Sequence, residues 1–343
     1  MASRRTKENW SVKGVLFAPF VDRRKGGDRR ANASAEENAK FADRRHGERR
    51  KLVGTALLWM SALFVASAPA QAGEKVSFEA TRAYTTSVEG VQLRADISKP
   101  DGAGPFPAVV LMHGCGGWQP AVRHAMNAYA DYLVAHGFVV LALDSFGPRN
   151  LGGGKVCESI KSQRDALDYR TQDALDALKY LRSLDYVDGR NVFLMGQSNG
   201  GSVAINVAKG DFRGAAKPEG DEGYRAVAAY YPWCGSFGGR KVTLEAPLMV
   251  FAGAMDDWTP ASECEGVQST KAELEVTKYP DATHSFDLDI MPQKYLGKSL
   301  GYDKAAAEDS RARMLAFFVK HATGQDWKTT RLARGGAAAQ AQP

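Results

Sequence analysis

The stretch "NVFLMGQSNGGSVAINVAKG", Asn191 to Gly210, decides how this chain is read. An apolar run suited to a buried strand leads into Gly196-Gln197-Ser198-Asn199-Gly200-Gly201, and a helix-like run follows. Glycines bracketing a serine at a strand-to-helix junction have two readings. One is a tight turn. The other is a nucleophile elbow, in which a strained turn lifts the serine oxygen above the strand end and glycines let neighbouring backbones approach. The following helix then aims its N-terminus, which favours developing negative charge, at that oxygen. The rest of the chain decides between them.

A serine hydroxyl is a weak nucleophile near neutral pH and needs a base. The chain holds six histidines. His46 lies in a polar N-terminal stretch. His124, His136 and His321 fall on or at the ends of helix patterns, where solvated positions explain them. His113, in "LMHGCGG", sits at a strand end in the loop expected to supply oxyanion donors. His284, in "YPDATHSFD", follows the last strand, from where a loop reaches across the strand ends, and it is the expected general base and acid. Its carboxylate is sought in "VFAGAMDDWTP", where Asp256 lies nearest the strand end and is preferred to Asp257. Asp281 reads as a turn residue and Asp144 as structural. The order Ser198, Asp256, His284 is the chain order of α/β-hydrolase triads. The backbone N–H groups of Asn199 and Cys115 are the expected oxyanion donors.

Strand and helix patterns alternate on both sides of the elbow. "KVSFEATRAY" and "VQLRADISKP" alternate with period two, whereas "FPAVVLMHG" and "FVVLALDSFG" are continuous apolar runs expected of strands buried on both faces. Helices are predicted over 121–136, 160–184, the segment after Ser198, a short piece near 261–271, and 303–322. Strands "YRAVAAYYP", "APLMVFAGA" and "ELEVTKYP" complete the set. The pattern predicts one α/β domain over 73–325, a mostly parallel sheet with an antiparallel N-terminal edge and helices on both faces. The tail 326–343 is low in complexity and expected to be flexible.

Of 343 residues with a net charge of +6, residues 1–51 carry fifteen Lys/Arg and seven Asp/Glu, so the remaining 292 are close to neutral. The basic balance belongs to a leader too polar to fold alone, which argues against nucleic acid as a partner. Residues 52–72, "LVGTALLWMSALFVASAPAQA", are uncharged, follow Arg49-Arg50-Lys51 and end in Ala-Gln-Ala. This is the form of a secretory signal peptide, with cleavage expected after Ala72 and the domain in the periplasm or outside the cell. The competing reading is an uncleaved membrane anchor, which also puts the domain outside the cytoplasm. Four cysteines, Cys115, Cys157, Cys234 and Cys264, fit an exported chain with disulfides, for which three connectivities exist. No Cys-x-x-Cys occurs, which weakens zinc and redox readings.

Together, "LMHGCGGW", "LALDSFGPRN", "GQSNGG", "YYPWCG", "GAMDDWTP" and "YPDATHSFD" resemble the dienelactone hydrolase family of the α/β-hydrolase fold, over roughly residues 75–322. The resemblance implies hydrolysis of a small ester or lactone without metal or organic cofactor. Dienelactone hydrolases proper use a cysteine nucleophile; Ser198 stands at that position and points to a serine-type carboxylic-ester hydrolase. Family topology also implies disulfides 115–157 and 234–264. Trp118, Phe146, Trp233 and Trp258 lie on loops expected to ring the pocket. Arg149 reads as a solvated surface charge, with recognition of a substrate carboxylate as the sharper alternative. Two rivals share the fold: a peptidase of the prolyl oligopeptidase type, disfavoured because no propeller-sized domain is present, and a catalytically silent binding protein.

Overall fold

The computed structural model describes residues 73–81, 90–210 and 223–324. The basic stretch 1–51, the uncharged segment 52–72 and the tail 326–343 lie outside them. In chain order the elements are β1 Glu74–Glu79, β2 Gln92–Ser98, β3 Phe106–Met112, α1 Pro120–Ala135, β4 Val139–Asp144, α2 Ile160–Arg182, β5 Val187–Gln197, α3 Asn199–Lys209, β6 Val227–Tyr230, β7 Lys241–Val242, β8 Leu248–Gly253, β9 Gln268–Ser269, β10 Leu274–Tyr279, β11 Gln293–Tyr295, β12 Lys298–Leu300 and α4 Lys304–His321.

Eight strands form one sheet in the order β1-β2-β4-β3-β5-β6-β8-β10. From β4 to β10 neighbours run parallel, while β1 and β2 form the antiparallel edge. Strand β3 is buried along its whole length. Its Ala108, Val110 and Met112 face a core completed by Leu178 of α2 and Val203 of α3, and its Val109 and Leu111 face a second core completed by Leu133 of α1 and Phe318 of α4. Burial on both faces is why these strands carry no period-two alternation. Helix starts follow local chemistry: the Ser159 side chain caps α2 through Ser162 N–H, and Asp303 caps α4 through Ala306 N–H.

The structure departs from the sequence expectation between Ala261 and Lys271. In place of a helix there is one 3₁₀ turn, Ala261–Glu263. Cys264 is joined to Cys234, Gly266 takes a left-handed φ of 70°, and Gln268–Ser269 then pairs with β7. A covalent tether and a positive φ stop the helix after one turn. Between the last sheet strand and α4, a β11–β12 hairpin occupies a stretch where no element was expected.

Sheet register gathers the site. Met112 pairs with Gly196, Gln197 with Tyr230, Tyr230 with Phe251, and Gly253 with Tyr279. The carboxyl ends of β3, β5, β6, β8 and β10 therefore align, and the order reverses about β3, where open α/β sheets leave a crevice.

Candidate active site

Ser198 sits between β5 and α3 with φ 51° and ψ −115°, a conformation that costs a non-glycine residue about 1–3 kcal/mol. The glycines around it are there for space. A side chain on Gly196 would run into the Gly200 carbonyl, and one on Gly200 into the Met112 carbonyl. The turn is pinned by Ser198 N–H donating to Tyr230 O at 2.9 Å and Ser202 N–H donating to Ser198 O at 2.9 Å.

His284 Nε2 lies 2.9 Å from Ser198 Oγ, and its Nδ1 lies 2.8 Å from Asp256 Oδ2. A carboxylate only accepts, so Nδ1 carries the proton and Nε2 is left to accept from the serine hydroxyl. Asp256 is held in turn. Its Oδ1 accepts the N–H groups of Trp258 and Thr259, each at 2.8 Å, and its Oδ2 lies 2.9 Å from the Thr259 hydroxyl. All three side chains are buried, and the Tyr231 and Trp258 rings pack on the imidazole with centroids at 4.7 and 5.1 Å. Asp257, the alternative acid, is exposed and accepts from Ser299 N–H and Oγ instead. Asp144 accepts the N–H groups of Phe146 and Gly147, and exposed Asp281 reaches no member of the relay.

On the other side of Ser198 the loop after β3 comes close: a Cβ built on Gly114 would lie 3.2 Å from Ser198 Cβ. His113 Nδ1 donates to Gly114 O at 2.8 Å, which orients the Gly114–Cys115 peptide. Burial, reinforced by the Arg170 charge, drives the His113 pKa down to about 3. The ring is therefore neutral, and at 3.9 Å from Asp144 it makes no ion pair. The disulfides join Cys115 to Cys157 and Cys234 to Cys264. The first ties the loop after β3 to the turn before α2. The second ties the turn after β6 to the segment that follows Asp256.

Above Ser198 and Asn199 opens a cavity of about 320 Å3. Its walls include Trp233, Trp258, Ile160 and Leu167, with the cations Arg164 and Lys298 also in the lining. Trp118 and Phe146, expected there, are elsewhere. Phe146 is fully buried against the His113 ring, and Trp118 stacks under Arg123 beside the sheet edge. Arg149 corrects both of its readings. Its guanidinium is buried and makes a two-pronged pair with buried Asp173 at 2.8 and 2.9 Å, so it is neither solvated nor available to a substrate. His321 is paired with Glu273 rather than simply solvated, His124 is exposed, and His46 lies outside the described residues.

Two buried ionisable groups in contact with the residues beside Ser198 escaped the sequence reading. Arg170, on α2, donates to Asn199 Oδ1 at 2.8 Å and to His113 O at 2.6 Å. Asp287 accepts from Tyr129 and Tyr231 hydroxyls at 2.8 and 2.6 Å and from Gln197 Nε2 at 2.6 Å. Both Asp287 oxygens are thereby hydrogen-bonded, and burial raises its pKa above the usual carboxylate range. Arg170 did leave a trace: it stands four residues from both Ala166 and Ala174, on the apolar stripe of α2.

Residues 93–322 match the dienelactone hydrolase family. The chain belongs to the dienelactone hydrolase family. Among curated relatives, a Yersinia pestis protein named for carboxymethylenebutenolidase activity is 24% identical over 259 residues, 69% of this chain and 87% of that protein. The quorum-quenching protein AidA of Acinetobacter baumannii is 33% identical over 128 residues, 37% of this chain and 38% of its own. Among solved structures, a dienelactone hydrolase-like promiscuous phosphotriesterase from metagenomic libraries superposes with a TM-score of 0.55 at 18% identity, covering 73% of this chain and 99% of that one. That likeness concerns the fold. As a dienelactone hydrolase family member, the protein is an enzyme of the ester and lactone hydrolase class on a mostly parallel α/β sheet.

Proposed function

We propose that this dienelactone hydrolase family member is an exported serine hydrolase that cleaves a small carboxylic ester or lactone through an acyl-enzyme. The observation that carries the reading is the unbroken hydrogen-bond line from Ser198 Oγ through His284 to Asp256, with links of 2.9 and 2.8 Å. Ser198 Oγ attacks the carbonyl carbon as its proton passes to His284 Nε2. The carbonyl oxygen takes up the negative charge and is held by the N–H groups of Asn199 and Cys115. Asp256 stabilises the imidazolium and keeps its tautomer. The imidazolium then protonates the departing alkoxide, which leaves as the alcohol or, in a lactone, as the far end of the same chain. Water repeats the sequence, returning Ser198 and releasing the acid.

The indoles of Trp233 and Trp258 favour a flat or apolar group beside the carbonyl, and the cavity holds a small substrate. Export is supported by the uncharged segment 52–72 behind a basic flank and by the pairing of all four cysteines. No helix among the described residues is long and apolar enough to cross a membrane.

The deciding experiment is hydrolysis of p-nitrophenyl acetate and labelling by a fluorophosphonate, wild type beside Ser198→Ala. Wild-type turnover and a label on Ser198, both lost in the variant, support the reading; an unlabelled wild type that turns over no ester removes it. A chain recovered outside the cytoplasm should begin at Gly73.

A further inference from the structure

Arg170 is an unusual group to find inside a protein. Its side chain is fully buried, and among the described residues no carboxylate is within ion-pair reach of it; the charges of Asp173, itself engaged by Arg149, and of Asp144 act on it only from farther off. Burial lowers its pKa only to about 10, so it is a cation at neutral pH. A buried charge without a carboxylate must be met by dipoles or it destabilises the fold. Two oxygens and one ring meet this one: Asn199 Oδ1, His113 O and the face of Phe146, 4.7 Å from the guanidinium carbon.

Those two oxygens belong to the two backbone segments that flank Ser198. Asn199 follows the serine, and its other side-chain arm donates to Gln163 O at 3.0 Å, so the residue is clamped at both ends of its amide. His113 precedes Gly114, whose carbonyl accepts from the His113 ring and whose peptide carries the Cys115 N–H. One rigid, planar fork thus spans the end of β3 and the start of α3. Oxyanion stabilisation depends on donors already in place when charge develops, and losing one such donor costs about 10²–10³ in rate.

We propose that Arg170 is a positioning residue for the oxyanion hole: by bridging His113 O and Asn199 Oδ1 it holds the Cys115 and Asn199 N–H groups in one geometry and adds a buried positive charge behind them. The inference rests on the hydrolase reading above. It assigns Arg170 no contact with substrate and no proton transfer.

The test compares Arg170→Met, which keeps length and loses charge and donors, with Arg170→Lys, which keeps charge but replaces the fork by a single ammonium. Both are read for kcat and KM on p-nitrophenyl acetate, for thermal melting, and for inhibition by a trifluoromethyl ketone, whose adduct carries an oxyanion. Arg170→Met should lower kcat about 10²-fold with KM within about threefold, and weaken the ketone in proportion. Arg170→Lys should fall between it and wild type. Because Arg170 acts through Asn199, adding Asn199→Ala to either variant should cost less than the product of the separate losses. If Arg170→Met does not fold, the Arg170→Lys and Asn199→Ala cycle carries the same decision. The proposal is overturned by a folded variant whose kcat and ketone affinity stay within twofold of wild type, or by losses that multiply. A wild type that hydrolyses the ester while Arg170→Met matches it overturns this inference alone; a wild type that neither turns over nor takes the fluorophosphonate overturns the hydrolase reading with it.

Discussion

The two sides of Ser198 are built alike around opposite kinds of group, a base on one and an acid on the other. On the side of the loop after β3, a disulfide from Cys115 anchors the backbone and a buried cation, Arg170, braces it. On the side of His284, a disulfide from Cys234 anchors the wall and a buried acid, Asp287, ties Gln197, Tyr231 and Tyr129 together. In acyl transfer a negative charge grows on the substrate oxygen and a positive charge on the imidazole. Arg170 stands on the side expected to hold the oxygen, and Asp287 reaches the other side through Tyr231, whose ring packs on the imidazole. Among the described residues neither makes an ion pair: Arg170 is met by two carbonyl oxygens and the Phe146 face, and Asp287 by two hydroxyls and an amide.

The contrast can be broken in several places. The largest effect is expected between the two sides: Ser198→Ala should lower kcat for an ester by about 10⁴-fold or more while melting within a few degrees of wild type. Burst kinetics and calorimetry read both.

Next comes acid stability, where the sides should pull in opposite directions. His113 titrates near 6.5 when unfolded and near 3 when folded, so the unfolded chain binds the extra proton between those values. Its contribution is complete above pH 6.5 and is lost as pH falls, at about 1.4 kcal/mol for each unit down to 3. Asp287 has a raised folded pKa, so its contribution is complete below about 3.9 and is lost as pH rises through the folded value. Urea unfolding between pH 3 and 8 should therefore show His113→Asn flattening the acid fall. Asp287→Asn should instead flatten the loss on the way up. The same slope change in both variants would dissolve the distinction.

The disulfides should then separate by kinetics rather than by stability. With loops of 42 and 30 residues, each is worth about 3–4 kcal/mol by chain entropy. Removing Cys115–Cys157 through a double serine variant should act mainly on kcat, since it frees an expected oxyanion donor. Removing Cys234–Cys264 should act mainly on KM, since Trp233 sits beside Cys234 on the cavity wall. Identical splits would mean that neither bridge serves its own side.

The smallest change is expected for Asp287→Asn at neutral pH, about 1–3 kcal/mol of stability with kcat within tenfold, because a neutral amide still accepts from two of the three donors. A loss in kcat as large as that of Arg170→Met, without a drop in melting temperature, would make the Asp287 side as much a part of rate as the Arg170 side.

Much of this was legible in one dimension. Local rules need no partner: glycines around Ser198 mark a strained turn, continuous apolar runs mark strands covered on both faces, and turn positions after strands mark His284 and Asp256. Where the reading went astray, the missing information was a distant contact. A helix over 261–271 satisfies local pattern, but Cys264 is drawn to Cys234. Arg149 looks solvated until Asp173, 24 residues away, is packed against it. Trp118 and Phe146 lie on loops beside the site, yet the direction of a side chain on a loop follows from what packs behind it.

The sequence by itself therefore determined the eight strands of the main sheet, the four long helices, the elbow, and which serine, histidine and acid to propose, since each is written in neighbouring residues. Tertiary structure alone decided which side chains face the cavity and that an arginine and an aspartate, buried without counter-ions, flank the serine. An ionisable group without a counter-ion enters an interior only where dipoles from remote segments converge on it, and convergence is a property of packing that no local pattern encodes.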